Sequence, residues 1–405
     1  MKTYLVGGAI RDSLLNIPVK DKDWLIVGAT SEEMLKNGFK PVGKDFPVFL
    51  HPVSGEQYAL ARTERKSGSG YTGFICDTAG VTLEQDLSRR DLTINAIACD
   101  ENGKVYDPFQ GREDIKKRQL RHISSAFNED PLRILRVARF AACYAHLNFS
   151  IALETLALMR SMSENGELTQ LSAERIWKET KLALQSRNPQ RYFQILKECH
   201  ALAALFPELN NLYGIRKHQT LLADMDIAIH TLMSLSIAAQ LSNQIEVRFA
   251  TLCHDFGKAL NNENFTNSDR YTTELIDNLC QRLRIPKNLR DLAVLAAKFH
   301  NLVHNIDKLE THAVVNLFNK LDAWRKIYRI EQIAIISEAD ARGCIGFEKI
   351  SYHQTNKLRT IFNLARQVSV RDIINRGFHG PEINKELYHR RCQAIKHWQR
   401  YKNCI

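Results

Sequence analysis

The 405-residue sequence contains no run of about 18 apolar residues, the length that a membrane-spanning helix needs. It also lacks a charged and then apolar leader, because a predicted strand begins within the first three residues. Its nine cysteines form no C-x-x-C motif and fit no even disulfide framework. We therefore expect reduced, mostly buried thiols, no zinc site, no membrane partner and a cytoplasmic location.

Acidic residues are in the minority, 45 against 56 lysines and arginines, which leaves a net charge of +11. This balance favours an anionic partner, although charge alone does not separate RNA from a lipid surface or from a solubility effect. The hydrophobic content of 44% is typical of a globular protein. The length exceeds one ordinary core and predicts roughly two to four domains.

Short apolar runs alternate with helical stretches over the first 120 or so residues, whereas helical patterns alone follow residue 125. This change predicts an α/β head with a small mixed sheet, followed by an all-α remainder. Strands are expected at 3–6, 24–27, 46–50, 58–61 and 105–107. Helices are expected at 172–186, 188–202, 225–240, 245–256, 289–304, 312–322 and 330–342.

A double-glycine turn and a pair of aspartates predict an anion and metal site near the N-terminus. Gly7 and Gly8 leave room for a phosphate at backbone N–H groups, and Arg11 follows in the next helix. Asp21 and Asp23, two apart before an apolar strand, would share one face and suit magnesium. Each piece alone is more often a turn or a solvated edge. Their order favours a site.

A second pattern places charged residues three apart in a helix predicted to begin near Pro131. Asp130, Arg133, Arg136 and Arg139 would form one slowly drifting polar stripe. Such a stripe taken alone is more often a solvated basic face.

These motifs resemble those of a known protein family. Gly7-Gly8-x-x-Arg11-Asp12 followed by Asp21-x-Asp23 resembles the head of the polymerase-beta-type nucleotidyltransferases. With further motifs at 89–96, 107–111 and 129–140, the chain is similar to bacterial CCA-adding tRNA nucleotidyltransferases of the class that also includes bacterial poly(A) polymerases. The similarity covers residues 1 to about 210 with high specificity and the remainder more loosely.

The resemblance implies that Asp130 and Arg133 act as a protein template for the incoming base. A carboxylate that accepts from an amino group and a guanidinium that donates to a ring nitrogen fit cytosine and adenine but not guanine and uracil. It also implies a set of residues that bind triphosphate, base or ribose, namely Gly8, Arg11, Arg90, Asp91, Asn95, Arg136 and Arg139. Arg90 and Asp91 could equally form an ordinary surface ion pair.

The implied reaction is in-line attack of a tRNA 3′-hydroxyl on the α-phosphate of CTP or ATP, with two magnesium ions on Asp21 and Asp23. Glu56 is a weaker third carboxylate, better explained as a turn residue. The expected partners are the tRNA acceptor arm, ATP and CTP, and the expected assembly is a monomer or homodimer. One rival function is a poly(A) polymerase, against which Asp45 before Phe46 counts.

His230, followed by His254-Asp255 in the run 253–258, has the order of the metal-dependent HD phosphohydrolases. An adjacent imidazole and carboxylate suit a transition metal such as Ni²⁺. The resemblance implies an added phosphatase, 2′,3′-cyclic phosphodiesterase or 2′-nucleotidase activity. However, residues 260–274 lack the expected His-rich segment, and Asn301 stands where an Asp is expected; a degenerate site in a tRNA-binding body is therefore the alternative. Further candidate ligands are His300, His304 and Asp340.

The predicted domains are a head at 1–122, a neck at 123–210, an HD-like helical domain at 211–345 and a helical tail at 346–405. A Gly/Ser-rich segment at 66–73 is expected to be a mobile loop or a plain linker. The basic, aromatic-rich stretch 385–402 predicts either RNA contacts or a solvated helix. A phosphohydrolase whose head only binds RNA is the rival from another class.

Overall fold

The computed structural model describes residues 1–42, 47–66, 74–219, 222–260 and 268–402. The chain forms two compact units, each built from two segments of sequence. The first unit comprises Met1–Ala183 and Arg191–Leu205, and the second comprises Leu184–Gln190 and Phe206–Ile405.

A mixed sheet forms the head of the first unit. Within the described residues its seven strands are β1 (Lys2–Val6), β2 (Asp23–Val27), β3 (Lys40–Val42), β4 (Val48–Leu50), β5 (Gln57–Leu60), β8 (Ala98–Asp100) and β9 (Val105–Tyr106). They follow the order β3-β4-β5-β2-β1-β8-β9 in the sheet, and of the neighbouring pairs only β2 and β5 run parallel. A separate antiparallel pair, β6 (Thr63–Lys66) and β7 (Phe74–Asp77), borders residues outside the described ranges. Most of the predicted loop at 66–73 lies outside the described ranges, and so do Asp45 and Phe46.

The register of the central strands positions the predicted metal residues. Antiparallel β1 and β2 pair Val6 with Asp23, so Asp23 lies beside the last residue before Gly7. The apolar side chains of β1 and β2 pack into the core of the head, where Val6 and Leu25 are buried. The prediction that Asp21 and Asp23 share a strand face was wrong in one respect, because β2 begins at Asp23 and Asp21 precedes it.

Helices make up much of the rest of the first unit. The first unit contains α1 (Gly8–Leu14), α2 (Ser31–Lys36), α3 (Leu83–Ser88), α4 (Gly111–Lys117), α5 (Leu132–Tyr144), α6 (Leu153–Glu164) and most of α7 (Ala173–Leu184), α8 (Gln190–Glu198) and α9 (Leu202–Leu205). The helix predicted at 188–202 corresponds to α8, which ends at Glu198, and α9 begins at Leu202.

Helices alone were predicted beyond residue 125, and short strands correct that prediction. β10 (Gln119–Leu120) pairs in parallel with β11 (Ser150–Ile151), and β12 (Arg216–Gln219) pairs with β13 (Leu222–Asp226). Such strands of two to five residues are too short to show an alternating pattern.

The other regular elements among the described residues of the second unit are helices. Its helices are α10 (Pro207–Asn210), α11 (Ile227–Leu241), α12 (Ile245–Cys253), α13 (Ser268–Arg282), α14 (Lys287–His304), α15 (Thr311–Lys320), α16 (Tyr328–Arg342), α17 (Gln354–Arg366), α18 (Val370–Asn375) and α19 (Pro381–Lys402). α11, α12, α14 and α16 pack against one another. The predicted helices of this region are found close to their expected bounds.

None of the described helices is long and apolar enough to span a membrane. No disulfide joins the eight cysteines at described positions, of which four are buried and four partly exposed.

Candidate functional site

A polar cavity of about 680 Å³ opens in the first unit where the β1–α1 turn, β2, α3 and α5 meet. Eight arginines and three aspartates line it, so the cavity suits a multiply charged anion. The lining residues are Gly7, Gly8, Arg11, Asp23, Arg62, Arg89, Arg90, Asp91, Asn95, Asp130, Leu132, Arg133, Arg136, Arg139, Phe140 and Arg175. All nine predicted nucleotide-binding residues are among them.

The glycine turn brings the backbone close to this cavity. Gly7 has φ of +69°, and a Cβ at this position would lie 2.8 Å from Nη1 of Arg90. Arg11, one turn into α1, is 8% exposed and donates to Oδ1 of Asn95 at 2.5 Å. Its guanidinium carbon also lies 5.2 Å from the centre of the Phe140 ring. These contacts fix the direction of Arg11 before any ligand binds.

Arg90 and Asp91 do not form a surface ion pair. Arg90 instead pairs with the fully buried Asp86 at 3.3 Å. Asp91 accepts from Asn95 Nδ2 at 2.8 Å and from Arg136 Nε at 2.7 Å. Burial alone would raise the pKa of Asp91, but the charge and hydrogen bond of Arg136 together with the Asn95 amide hold that pKa well below its usual value. Asp91 is therefore an ionised, oriented carboxylate.

The arginine stripe of α5 faces the cavity, which contradicts the alternative of a solvated basic face. Arg133 is 9% exposed, and the side chain of Arg139 is 13% exposed. Arg139 donates to Glu179 at 2.5 Å and lies over the Phe140 ring at 4.0 Å. Both contacts restrict the rotamers of Arg139, so its guanidinium is oriented before a ligand binds.

The predicted base-reading pair is held by groups that sequence analysis missed. Arg133 donates to the carbonyl oxygens of Ala126 at 2.8 Å and of Arg89 at 2.6 Å. Asp130 accepts from the Leu132 N–H at 3.1 Å through Oδ1 and from Arg175 at 2.7 Å through Oδ2. Arg175 lies on α7, 45 residues from Asp130. No local spacing connects the two positions, and the sequence offered no signal for this pair.

The carboxylates expected to hold magnesium lie at the start of β2. Both Asp21 and Asp23 are exposed, and Asp23 lines the cavity. An exposed carboxylate beside an arginine-rich anion cavity fits magnesium, which is bound through one or two carboxylates and completed by phosphate oxygens and water. Glu56 is occupied elsewhere, since it accepts from Trp24 Nε1 at 2.9 Å in the turn before β5.

A second group of titratable side chains is buried in the second unit. One ligand atom from each of His230, His254, Asp255 and Asp340 falls within 4.8 Å of the others. Asp340 Oδ1 lies 2.7 Å from Nε2 of His230 and 3.0 Å from Nε2 of His254. The Nδ1 atoms of both histidines face backbone carbonyls and must carry hydrogens there. In the neutral tautomer each Nε2 then presents a lone pair to a carboxylate, an arrangement that a divalent transition cation stabilises.

Asn301, which suggested a degenerate site, is not a member of this buried cluster. Asn301 is exposed on α14 and contributes no ligand to the cluster, whereas His300 and His304 on the same helix face the aspartates. Burial, and secondly the charge of His254, lower the pKa of His300 to about 3. Residues 261–267 of the segment without the His-rich motif lie outside the described ranges.

Three family models match this chain. The poly A polymerase head domain matches residues 3–121, the probable RNA and SrmB-binding site of polymerase A matches 148–213, and the HD domain matches 227–341. The first match contains Asp21 and Asp23, and the third contains the cluster of the second unit.

Solved structures of similar fold cover nearly the whole chain. A Thermotoga maritima CCA-adding enzyme complexed with tRNA has a TM-score of 0.64 at 18% identity, covering 97% of this chain and 87% of that chain. A CCA-adding enzyme with ATP has a TM-score of 0.66 at 18% identity, with 97% and 86% covered. The Bacillus stearothermophilus CCA-adding enzyme in complex with CTP has a TM-score of 0.61 at 22% identity, with 99% and 93% covered. The chain therefore carries, in this order, a region that matches the poly A polymerase head domain and a region that matches the HD domain, and it has the fold of the solved CCA-adding enzymes.

Proposed function

We propose that the first unit adds C, C and A to the 3′ end of tRNA from CTP and ATP, releasing pyrophosphate. The observation that carries this proposal is that one cavity contains an oriented Asp130/Arg133 pair, an arginine-rich lining and the carboxylate of Asp23. The structural relatives solved with CTP, ATP and tRNA support it.

Base choice follows from the hydrogen-bonding groups of the pair. Asp130 accepts and Arg133 donates, which matches the amino group and unprotonated ring nitrogen of cytosine and adenine. Guanine and uracil present a carbonyl beside an N–H, and would leave both side chains with clashing partners. Each good bidentate pair discriminates by about 1–3 kcal/mol. The carbonyls of Ala126 and Arg89 hold Arg133 in place, so little rotamer entropy is lost on binding.

The remaining lining residues suit the triphosphate and ribose. Arg11, Arg90, Arg136 and Arg139 offer N–H forks to phosphate oxygens, and the backbone of Gly8 lies at the start of α1. Asp91 and Asn95, bonded to each other, offer acceptors to a ribose hydroxyl. Asp21 and Asp23 would hold two magnesium ions, whose chemistry when bound is to lower the pKa of the attacking hydroxyl and to neutralise the leaving pyrophosphate.

The test is incubation of the full chain with magnesium and a tRNA transcript that lacks its last three nucleotides. Each NTP is offered singly, and CTP is then offered with ATP. We expect addition of two C residues from CTP alone, a final A when ATP is present, and none from GTP or UTP. An Asp21→Ala/Asp23→Ala variant should add nothing.

Other results would assign a different function. Long A tails would make the protein a poly(A) polymerase, which shares the head domain. Absence of incorporation in the presence of an intact, monodisperse protein would overturn the proposal. If the RNA loses a terminal phosphate and no nucleotide is incorporated, the activity would be assigned to the second unit.

A second function is favoured by the cluster of His230, His254, Asp255 and Asp340. We propose that it holds a transition metal such as Ni²⁺ and hydrolyses phosphate esters of RNA ends, as phosphatase, 2′,3′-cyclic phosphodiesterase or 2′-nucleotidase. Support comes from the HD domain match and from the four converging ligand atoms. Lys258 donates to Asp255 at 2.5 Å at the edge of the cluster and provides a cation near an incoming phosphate.

This second function is tested on metal-free protein that is reloaded with Ni²⁺ and offered 2′,3′-cyclic AMP and 2′-AMP. We expect hydrolysis that needs the cation and is lost in His254→Ala. Hydrolysis that persists in His254→Ala, or its absence with a fully loaded cluster, would contradict the proposal.

A further inference from the structure

A buried carboxylate lies behind the arginine lining of the cavity in the first unit. Asp86 is fully buried near the end of α3 and is not itself among the lining residues. Its Oδ1 accepts from Arg89, at 3.0 Å from Nε and 2.7 Å from Nη2, and its Oδ2 accepts from Nη2 of Arg90 at 3.3 Å. Both of these arginines line the cavity. One carboxylate therefore restrains two consecutive guanidinium groups.

Asp86 keeps its charge in this buried position. Burial by itself would raise the pKa of Asp86, but the charges of Arg89 and Arg90 hold that pKa below its usual value. Without the carboxylate, Arg90 would retain among the described residues only a long contact to the Asn95 carbonyl at 3.4 Å, because no partner is found there for its Nε. The orientation of Arg90 thus depends on Asp86.

The contacts of Asp86 also extend to the proposed base-reading arginine. Arg89 is the C-cap of α3, and its Nε donates both to Asp86 and to the Arg62 carbonyl at 3.1 Å. These bonds restrain the end of α3, where the carbonyl oxygen of Arg89 accepts from Nη2 of Arg133 at 2.6 Å. A shift of Arg89 would therefore move the group that orients Arg133.

We infer that Asp86 is a positioning residue for nucleotide selection, which holds Arg90 for the triphosphate and, through Arg89, holds Arg133 for the base. The inference rests on the proposed nucleotide addition by the first unit and adds a residue to it that lies outside the cavity lining.

The charge of Asp86 taken alone predicts the opposite effect on binding. A negative charge near a triphosphate repels it, so removal of that charge should tighten nucleotide binding. Loss of a positioning contact should instead weaken binding and reduce the discrimination between bases. The sign of the change in affinity therefore distinguishes the two roles.

The test uses Asp86→Asn in the full chain, because asparagine keeps the size of the side chain and one acceptor oxygen. The Kd values of CTP and UTP are measured by calorimetry with magnesium and without tRNA. We expect the Kd of CTP to rise about tenfold, the lower end of what a hydrogen bond between charged groups contributes. The preference for CTP over UTP should fall roughly three- to tenfold, because the base-reading pair is loosened but still present.

Two further variants separate geometry from charge and from stability. Arg89→Lys keeps the charge but replaces the fork that Asp86 accepts by a single nitrogen, so it should also lower the preference for CTP. Glu208→Gln is the matched control, since Glu208 is a buried carboxylate of the second unit that accepts from Arg282 at 3.0 Å through both oxygens. It should lower the melting temperature and leave the preference unchanged.

Circular dichroism identifies the variants that are folded. Tighter CTP binding by Asp86→Asn, or an unchanged preference in a folded Asp86→Asn or Arg89→Lys protein, would overturn the inference. A wild type that prefers CTP in binding but adds no nucleotide to tRNA would reject the proposed function alone, and a reduced preference in Asp86→Asn would still support the positioning role. Equal affinities of the wild type for CTP and UTP would overturn both.

Discussion

Arg175 holds Asp130, the acceptor of the proposed base-reading pair, and we expect it to determine how well the protein rejects the wrong base. Its hydrogen bond to Asp130 Oδ2 is 2.7 Å long, and both side chains are about one-fifth exposed. In Arg175→Ala, Asp130 should gain rotamer freedom while Asp21 and Asp23, the proposed magnesium ligands, are unchanged. Because a hydrogen bond between charged groups contributes roughly 1.5–3 kcal/mol, kcat/KM for CTP should fall about 10- to 100-fold.

Incorporation of single CTP and UTP by Arg175→Ala, followed on gels, measures this effect. The ratio of CTP to UTP incorporation should fall as well, which a purely structural defect would not produce. Arg160→Ala is the control, because Arg160 is exposed on α6 and donates to the Glu198 carbonyl away from the cavity. An unchanged ratio in Arg175→Ala would assign Arg175 to stability alone.

Asp91 should make the stability of the first unit dependent on pH in the acidic range. Folding lowers its pKa, so the ionised carboxylate stabilises the folded state above about pH 4, and this contribution is lost as the pH falls below that value. Asp91→Asn should therefore lose roughly 1.5–3 kcal/mol at pH 7, and the difference from the wild type should shrink below pH 4. Urea unfolding at pH 7, 5 and 3 measures it.

The surface variant Asp372→Asn is the comparison for Asp91→Asn, because Asp372 is exposed on α18. A difference between Asp91→Asn and the wild type that stays constant from pH 7 to 3 would mean that packing, and not ionisation, explains the loss.

At the scale of elements, the end of α16 is brought close to α11 by a glycine. A Cβ at Gly343 would lie 2.8 Å from the backbone nitrogen of Ser234 and 2.9 Å from its Cα. Gly343 also supplies the carbonyl that accepts from His230, three residues after Asp340. Gly343→Ala should push α16 from α11, lower stability by about 1–3 kcal/mol and weaken cation binding at the cluster.

Melting curves with and without Ni²⁺ test Gly343→Ala. We expect a lower melting temperature and a smaller stabilisation by the cation than in the wild type. Gly8→Ala is the matched control, since the atoms nearest to its added carbon belong to the flexible Arg11 side chain, at 3.4 Å or more. Unchanged cation stabilisation in Gly343→Ala would show that the α11–α16 spacing does not set the cluster geometry.

How far the sequence could predict these elements depended on the range of the interactions. The β1–α1 turn and the α5 stripe were predictable because their residues are close in the chain, and the head fold is confirmed by the family match. The Arg175–Asp130 and Arg139–Glu179 pairs join residues 45 and 40 positions apart, and no local pattern reveals such contacts. Asn301 suggested a degenerate HD-like site by its position in the sequence, but its exposed side of α14 is not the side that carries the buried His300.

For the whole molecule, the net charge of +11 and the exposed lysines of α19 predict tRNA binding that weakens steeply with salt. Lys385 and Lys396 are exposed, while Arg391 is stacked on Trp324 at 3.5 Å and anchors the helix. We expect at least a tenfold loss of affinity between about 50 and 200 mM salt, as counterion release requires. Lys385→Ala/Lys396→Ala should reduce the salt slope by roughly two.

Fluorescence anisotropy with labelled tRNA, measured over a series of KCl concentrations, gives this slope. Glu382→Gln, on the same helix, controls for general changes in α19 and should leave the slope the same or steeper. An identical slope in the double lysine variant would place the RNA contacts elsewhere on the chain.

The division of the chain has a consequence for how such a protein can be cut or shortened. Residues Leu184–Gln190 belong to the second unit although the first unit resumes at Arg191. Within the second unit the buried Arg248 donates to the carbonyl oxygens of Leu184 and Ser186, both at 2.7 Å. A fragment that starts at residue 206 would retain the guanidinium and lose both acceptors. The second unit therefore cannot be separated or fused as one uninterrupted stretch of gene without loss of contacts of its own.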